Sequence, residues 1–250
     1  MDDLKRYEEL VKTIEYHNDL YYNQDDPKIS DYEYDMMMKE LKKLEKDHPE
    51  YVTPSSPTQH VGGSAKREAG VLVRHRVPML SLQDVFSKEE VQDFVKSMQE
   101  TLVDPVFVVE YKIDGLSMAL RYENGLLTTA ITRGDGIIQG EDVTVNAKVI
   151  KDVKNKLKEP IEYLEVRGEV YMTNEAFDKV NEIQELNNKK TFANPRNCAA
   201  GTLRQLDSRI TKQRNLSMFI FNIQDIRGKE ITSHSQGYEY LKIQGMKVID

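Results

Sequence analysis

Cysteine occurs once in the 250 residues, at Cys198. A single thiol excludes an internal disulfide framework and any cysteine-rich zinc site, and it fits a reducing compartment. Its plainest role is that of a small buried side chain. Long apolar runs are missing too: no stretch approaches the roughly 20 residues that cross a bilayer, so a membrane is not expected as a partner. The N-terminal "MDDLKRYEEL" lacks the basic and then apolar order of a secretory signal, and a cytoplasmic location is expected. Internal repeats and low-complexity tracts are absent. What remains is 39% hydrophobic and 31% charged, enough for one sizeable core and one or two domains.

Net positive charge is also lacking, but the deficit is local. Residues 1–50 hold 8 Lys and Arg against 15 Asp and Glu, which accounts for the whole net charge of −7. The other 200 residues balance at 27 against 27. Within them, residues 189–214 gather Lys189, Lys190, Arg196, Arg204, Arg209, Lys212 and Arg214 against Asp207 alone. Such a run is either a solvated face or a basic patch for nucleic acid.

The first 50 residues read as two helices, with Leu4, Tyr7, Val11, Ile14 and Asn18 on one face and Tyr34, Met37 or Met38, Leu41 and Leu44 on another. Pro27 separates them, and Ser30 with Glu33 has the spacing of a capping box, which starts the second helix at Asp31. Residues 51–64 are rich in proline and glycine and read as a connection, with a domain boundary near residue 68. Ser87 and Glu90 open another helix carrying Val91, Phe94, Val95 and Met98 on one face. Strands are predicted over 106–113, 116–122 and 126–133, with Asn124-Gly125 as the hairpin turn between the last two, giving an antiparallel meander. A further strand is predicted at 164–172, followed by a helix capped by Thr173, a second helix opened by Asn194-Pro195, and a buried strand in "LSMFIFNI". The fold class is α+β.

Three charged groupings stand out. In "EYKIDG", Glu110, Lys112 and Asp114 would share one face of the predicted strand. Taken alone, Lys112 is a surface lysine in a weak ion pair. As a nucleophile it would have to lose a proton from an amine of ordinary pKa about 10.4, which neighbouring carboxylates oppose and desolvation or a nearby cation favours. In "EVRGEV", Glu165, Arg167 and Glu169 share a face, either as a cross-strand ion ladder or as a site carboxylate set. In "TRGDG", Arg133 stands beside a glycine turn, from which a guanidinium can reach a phosphate or ribose. On the second helix, Asp31, Tyr34 and Asp35 fall on one face, an aromatic ring flanked by two acids that suits a cationic ring. The alternative is a core tyrosine with helix-start acids favoured by the dipole.

Over nearly the whole chain, "ISDYEYD", "SPTQHVGG", "HRVPMLSL", "EYKIDGLSM", "TRGDG" with "GEDVTVN", "EVRGEVYM" and "FANPRNCAAGTLRQLD" resemble the bacterial NAD-dependent DNA ligases. The resemblance implies a small N-terminal helical subdomain, residues 1–68, that recognises the nicotinamide mononucleotide end of NAD. A nucleotidyltransferase domain with antiparallel sheets, residues 69–250, would follow. It implies that Lys112 attacks the adenylyl phosphorus of NAD to form lysyl-AMP. The AMP would then pass to the 5′-phosphate of a DNA nick that the adjacent 3′-hydroxyl seals, in replication and repair. Tyr21, Tyr22, Asp31, Tyr34 and Asp35 match the nicotinamide side. Ser81, Leu82, Glu110, Arg133 and Glu169 match the adenosine side, with Glu110 at the adenine and Glu169 as a ribose or metal-side carboxylate. Arg196 and Arg204 match arginines near the nicked strand. The implied cofactors are NAD as AMP donor and magnesium, with zinc confined to a C-terminal region beyond this sequence. The implied partner of the full enzyme is nicked double-stranded DNA, and the chain is expected to be a monomer.

Two departures accompany the resemblance. Three residues, Ile137, Ile138 and Gln139, separate "GDG" from "GED", where the family commonly has two. The sequence also ends before the family's final phosphate-contacting lysine, so a truncated adenylation half is expected, inactive or weakly active by itself. Two other readings stay open: an ATP-dependent ligase or RNA-capping guanylyltransferase core, and a non-catalytic nucleotide- or DNA-binding module.

Overall fold

The computed structural model describes residues 3–23, 28–53, 56–59 and 71–249. The expected boundary near residue 68 and the break at Pro27 lie outside the described residues. Helix α1 (Asp3–Asn18) runs into a π-helical turn, Asp19–Asn23, and α2 (Asp31–Asp47) returns antiparallel to it. The start of α2 follows from a complete capping box. The Ser30 hydroxyl accepts from the Glu33 N–H, and the Glu33 carboxylate accepts from the Ser30 N–H at 2.8 Å. Tyr7, Leu10, Ile14 and Leu41 form the buried seam, with Tyr34, Met37, Met38 and Leu44 packed against it. Arg6 binds Glu40 through two hydrogen bonds of 2.7 and 2.8 Å, and so fixes the antiparallel register. Leu4 is exposed and Leu10 takes its place in the seam.

The rest of the chain is built on a four-stranded sheet. A short strand β1 (Leu72–Arg74) precedes helix α3 (Lys88–Thr101), and β2 (Leu116–Glu123) and β3 (Leu126–Thr132) form a hairpin. Its turn is Asn124-Gly125, with φ of 50° and 76°, the left-handed values that this pair adopts at least cost. Strand β4 (Gln139–Glu141) pairs with β1 in a separate ribbon and leads to the single turn α4 (Thr144–Ala147). Strand β5 (Tyr163–Tyr171), helices α5 (Asn174–Leu186), α6 (Pro195–Leu203) and α7 (Ser208–Gln213), strand β6 (Ser217–Arg227) and helix α8 (His234–Ile243) complete the order. The sheet runs β3-β2-β5-β6, antiparallel throughout. Met118, Leu120 and Tyr122 of β2, Leu164, Val166 and Val170 of β5, and Met218 and Ile220 of β6 point to one face. There they pack with Cys198 and Leu203 of α6 and Leu241 of α8, each large side chain contributing about 1.5–3 kcal/mol. The opposite face carries the alternate residues, Ser117 and Arg121 of β2 and Glu165, Arg167 and Glu169 of β5.

Two expectations are corrected here. Residues 106–113 form no strand: among the described residues none pairs with them, and a strand without a ladder partner leaves its backbone groups to water. The neighbour of β2 is therefore β5 and not the preceding segment, so the meander is a hairpin extended by a distant strand. Glu110, Lys112 and Asp114 accordingly do not form a row on a strand. Helix α3 starts at the predicted cap, but it buries no residue, and Val91 and Phe94 are about half exposed at 46% and 51%. Its Glu90 carboxylate turns back to the Phe86 N–H instead of to the cap residue.

Candidate active site

The polar face of the sheet has a closed end and an open end. At the closed end Arg121 donates to Glu165 at 2.8 Å, and both are buried; Tyr163 donates to the same carboxylate oxygen at 2.8 Å. Burial and the Glu165 charge push the Tyr163 phenol up to about 12. Arg121 also donates to the Arg74 carbonyl and Arg167 to the Val77 carbonyl, at 3.0 and 2.8 Å. The two buried arginines thus pin the end of β1 and the segment that follows it to the polar face of the sheet. From that segment His75 lies 2.9 Å from the Arg133 carbonyl, and the Met79 N–H donates to the Gly136 carbonyl at 2.6 Å.

At the open end Ser117 and Glu169 stand opposite each other in the β2–β5 register, and the Ser117 hydroxyl donates to the Glu169 carboxylate at 2.7 Å. Burial raises the Glu169 pKa above the usual carboxylate range. The Ser117 hydrogen bond and the charges of Arg196 and Lys112 oppose that rise, and Asp114 adds to it. The charges of Lys112, Asp114 and Arg196 thus all act on Glu169. Lys112 itself is exposed. Arg196, in the first turn of α6, lies 3.5 Å from Asp114 and 5.1 Å from the centre of the Tyr21 ring, so the N-terminal unit reaches the same place. Gly115 has no room for a Cβ, which would sit 2.2 Å from the Val170 carbonyl oxygen. The glycine after Asp114 thus serves a close approach of β2 to β5, not only a turn.

Arg133 adjoins this end. Its N–H donates to the Ser117 carbonyl at 3.2 Å, and its guanidinium donates to the Ser81 hydroxyl at 2.5 Å. The loop after it is closed by Asp135, one carboxylate oxygen of which accepts from the N–H groups of Ile137, Ile138 and Gln139 at 2.7–3.0 Å. Burial raises the Asp135 pKa, but these three donors outweigh it and leave the group below its usual value. The additional residue in this loop is thereby held by its backbone, and Gln139 goes on to begin β4.

The remaining predicted residues are placed as follows. Glu110 lies 2.9 Å from His234, at the start of α8, and its charge together with burial raises the pKa of Tyr238. Leu82 is 74% exposed. Arg204 pairs with buried Glu141 at 3.3 Å. Arg209 pairs with Asp207, and Arg214 lies over the Phe192 ring, so much of the basic run is occupied within the fold. Tyr34 donates its hydroxyl to Asn18 at 2.8 Å and packs on the helical seam, while Asp35 is half-buried. Tyr22 lies in the π-helical turn and Asp31 opens α2; their side chains lie outside the described residues. Sequence reasoning missed Ser117, His75 and His234. Only Ser117 carries a local signal, an even spacing from Ala119 and Arg121 on the polar face of β2, and that becomes meaningful once β5 is its neighbour.

No helix among the described residues is long and apolar enough to cross a membrane. Residues 70–250 match the family described as the NAD-dependent DNA ligase adenylation domain. Residues 1–62 match a DNA ligase-like, N-terminal NAD+-binding domain. A DNA ligase of Clostridium kluyveri is 56% identical over 99% of this chain and 37% of its own length. A DNA ligase of Caldicellulosiruptor saccharolyticus is 54% identical over 98% of the chain and 36% of its own length. One of Clostridioides difficile is 48% identical over 96% and 35%. The chain spans about 37% of the length of the curated relatives it matches most strongly. With both segments matched in chain order and ligases aligned along nearly its whole length, the chain belongs to the NAD-dependent DNA ligase family, of which it carries the N-terminal and adenylation parts.

Proposed function

We propose that this chain transfers the adenylyl group of NAD to Lys112. The observation that carries the reading is Arg196, paired with Asp114 two residues after Lys112 and lying over Tyr21 of the helical unit, with Glu169 within reach of the Lys112 and Arg196 charges. The Lys112 nitrogen, once deprotonated, forms a bond to the adenylyl phosphorus. The pyrophosphate P–O bond breaks, and nicotinamide mononucleotide leaves with the electron pair. Arg196 pairs with Asp114 and its charge acts on Glu169, so positive charge borders the place where phosphate would lie. Arg133 and Ser81 face the adenosine side, Glu110 with Leu82 the base, and Glu169 the ribose. Tyr21, Tyr22, Asp31, Tyr34 and Asp35 receive the nicotinamide end. In this reading the division falls near residue 68. The later AMP transfer to nicked DNA, with Arg196 and Arg204 near the strand, belongs to the longer protein.

Magnesium is compatible with these residues. Among the described residues no group of three or more His, Cys, Asp or Glu could hold a metal, but Mg2+ is commonly held by one or two carboxylates plus substrate phosphates. Asp114 and Glu169 are the carboxylates that could face it, and the ion would offset phosphate charge.

Incubation with NAD and magnesium followed by mass spectrometry tests the reading. AMP linked to Lys112, lost in Lys112→Met, is the expected result. AMP on another residue refutes the nucleophile, and an adduct formed from ATP or GTP in preference to NAD refutes the donor.

A further inference from the structure

Among the described residues, two cations placed on aromatic rings join the helical unit to the rest of the chain. Lys39 of α2 lies 4.6 Å from the centre of the Phe86 ring and 3.1 Å from the Glu90 carboxylate. Arg196 lies 5.1 Å from the centre of the Tyr21 ring. The first pair sits at the start of α3. The second differs in what lies behind it, because the same guanidinium is 3.5 Å from Asp114 and its charge acts on Glu169. Arg196 is fixed from the far side as well. It stands in the first turn of α6, where the Asn194 side chain accepts from the Asn197 N–H at 2.8 Å and Pro195 occupies the first position. Asn197, Cys198 and Ala199 are buried beneath it. A planar guanidinium can stack on a ring with one face and hydrogen-bond with its edge, which a lysine ammonium cannot do.

We propose that Arg196 is a positioning residue of the adenylyl-transfer site, a clasp that transmits the seating of the helical unit on Tyr21 to Asp114 and Glu169 beside Lys112. Lys39 on Phe86 is the passive second point of the same clasp. This inference rests on the reading of the site as a nucleotide site. Its consequence is that the two halves of a dinucleotide are sensed together: the N-terminal unit is not only a binding surface for the far half but also sets the arrangement of charges around the nucleophile.

The test begins without ligand, on the full 250-residue chain. Arg196→Ala combined with Lys39→Ala is expected to raise the radius of gyration in small-angle scattering. It should also speed amide exchange in residues 19–23 about tenfold or more while β2 and β5 keep their protection. Arg196→Lys retains charge but not the flat contact and should fall between the two. Calorimetry with NAD and with AMP follows. Tyr21→Leu should weaken NAD about tenfold and AMP less than about twofold, and the double variant with Arg196→Ala should lose less NAD affinity than the product of the two single losses, because the two changes share one contact. Unchanged scattering and exchange in the Arg196→Ala, Lys39→Ala chain overturns the clasp, whatever the nucleotides do. Losses that multiply in the double variant overturn the coupling. Failure of the unmutated chain to bind either nucleotide overturns the reading of the site and the coupling with it, and the ligand-free arm distinguishes that failure from loss of the clasp.

Discussion

The two ends of the polar sheet face start from the same arrangement and reach opposite results. At each end a β5 glutamate stands directly across from a β2 residue, Glu165 from Arg121 and Glu169 from Ser117. Arginine neutralises Glu165 at once, Tyr163 adds a second donor, and the Arg74 carbonyl accepts from the same guanidinium. Serine gives Glu169 one hydrogen bond and no charge, so its compensation must come from Arg196 and Lys112, which belong to other elements. A cross-strand partner that brings the opposite charge neutralises the carboxylate in place, even though the second oxygen of Glu165 is buried without a hydrogen-bond partner. One that brings no charge leaves the carboxylate to be neutralised from elsewhere.

Removing the charged partner should have the larger effect. Arg121→Leu strands the buried Glu165 and is expected to cost about 3–5 kcal/mol, or roughly 6–20 °C in melting temperature. Adding Glu165→Leu should restore most of that loss without affecting AMP binding. A double variant that stays as unstable as the single one would show that the pair is not the source of the effect. Ser117→Ala takes one hydrogen bond from an ionised group, worth about 1.5–3 kcal/mol. Here the repair should fail functionally: Ser117→Ala with Glu169→Leu regains stability in thermal melts but loses AMP binding in calorimetry. If AMP binding survives, the contrast between the two ends collapses.

A second arginine–carboxylate pair, Arg6 with Glu40 between the helices, provides the solvated limit of the comparison. The Arg6 hydrogen bond lowers the Glu40 pKa, and burial and charge have smaller and opposing effects. A carboxylate depressed in the folded state stabilises above its unfolded pKa and loses that contribution as pH falls through the folded value. With the two side chains 40% and 43% exposed, the effect should be only tenths of a kcal/mol, about 0.2–1. The melting difference between the unmutated chain and Arg6→Ala should therefore shrink from pH 7 to pH 3, and a difference that grows on acidification would contradict it.

Much of the local structure is legible in the sequence because its causes lie within a few residues. Ser30 with Glu33 starts α2, Asn124-Gly125 makes the hairpin, and Thr173 and Asn194-Pro195 start α5 and α6 at the predicted positions. The segment 106–113 misleads because alternation describes a chain that could be a strand, whereas a ladder needs a partner. His234 could not be assigned to Glu110 from spacing, since 124 residues separate them. The short α7 and α8 and the β1–β4 ribbon carry weak periodicity and escaped notice for that reason.

By itself the sequence determined the chemistry at hand: one lysine in a K-x-D-G run, carboxylates at alternate positions on β5, arginines at a helix start, and the motif order that marks the family. Only the tertiary structure decided which carboxylate meets an opposite charge across the sheet and which meets a hydroxyl. That depends on the register that sets Arg121 opposite Glu165 and Ser117 opposite Glu169. Whether a charge is buried, paired or available is a property of neighbours brought together across the fold, and the order of residues along the chain does not contain those distances.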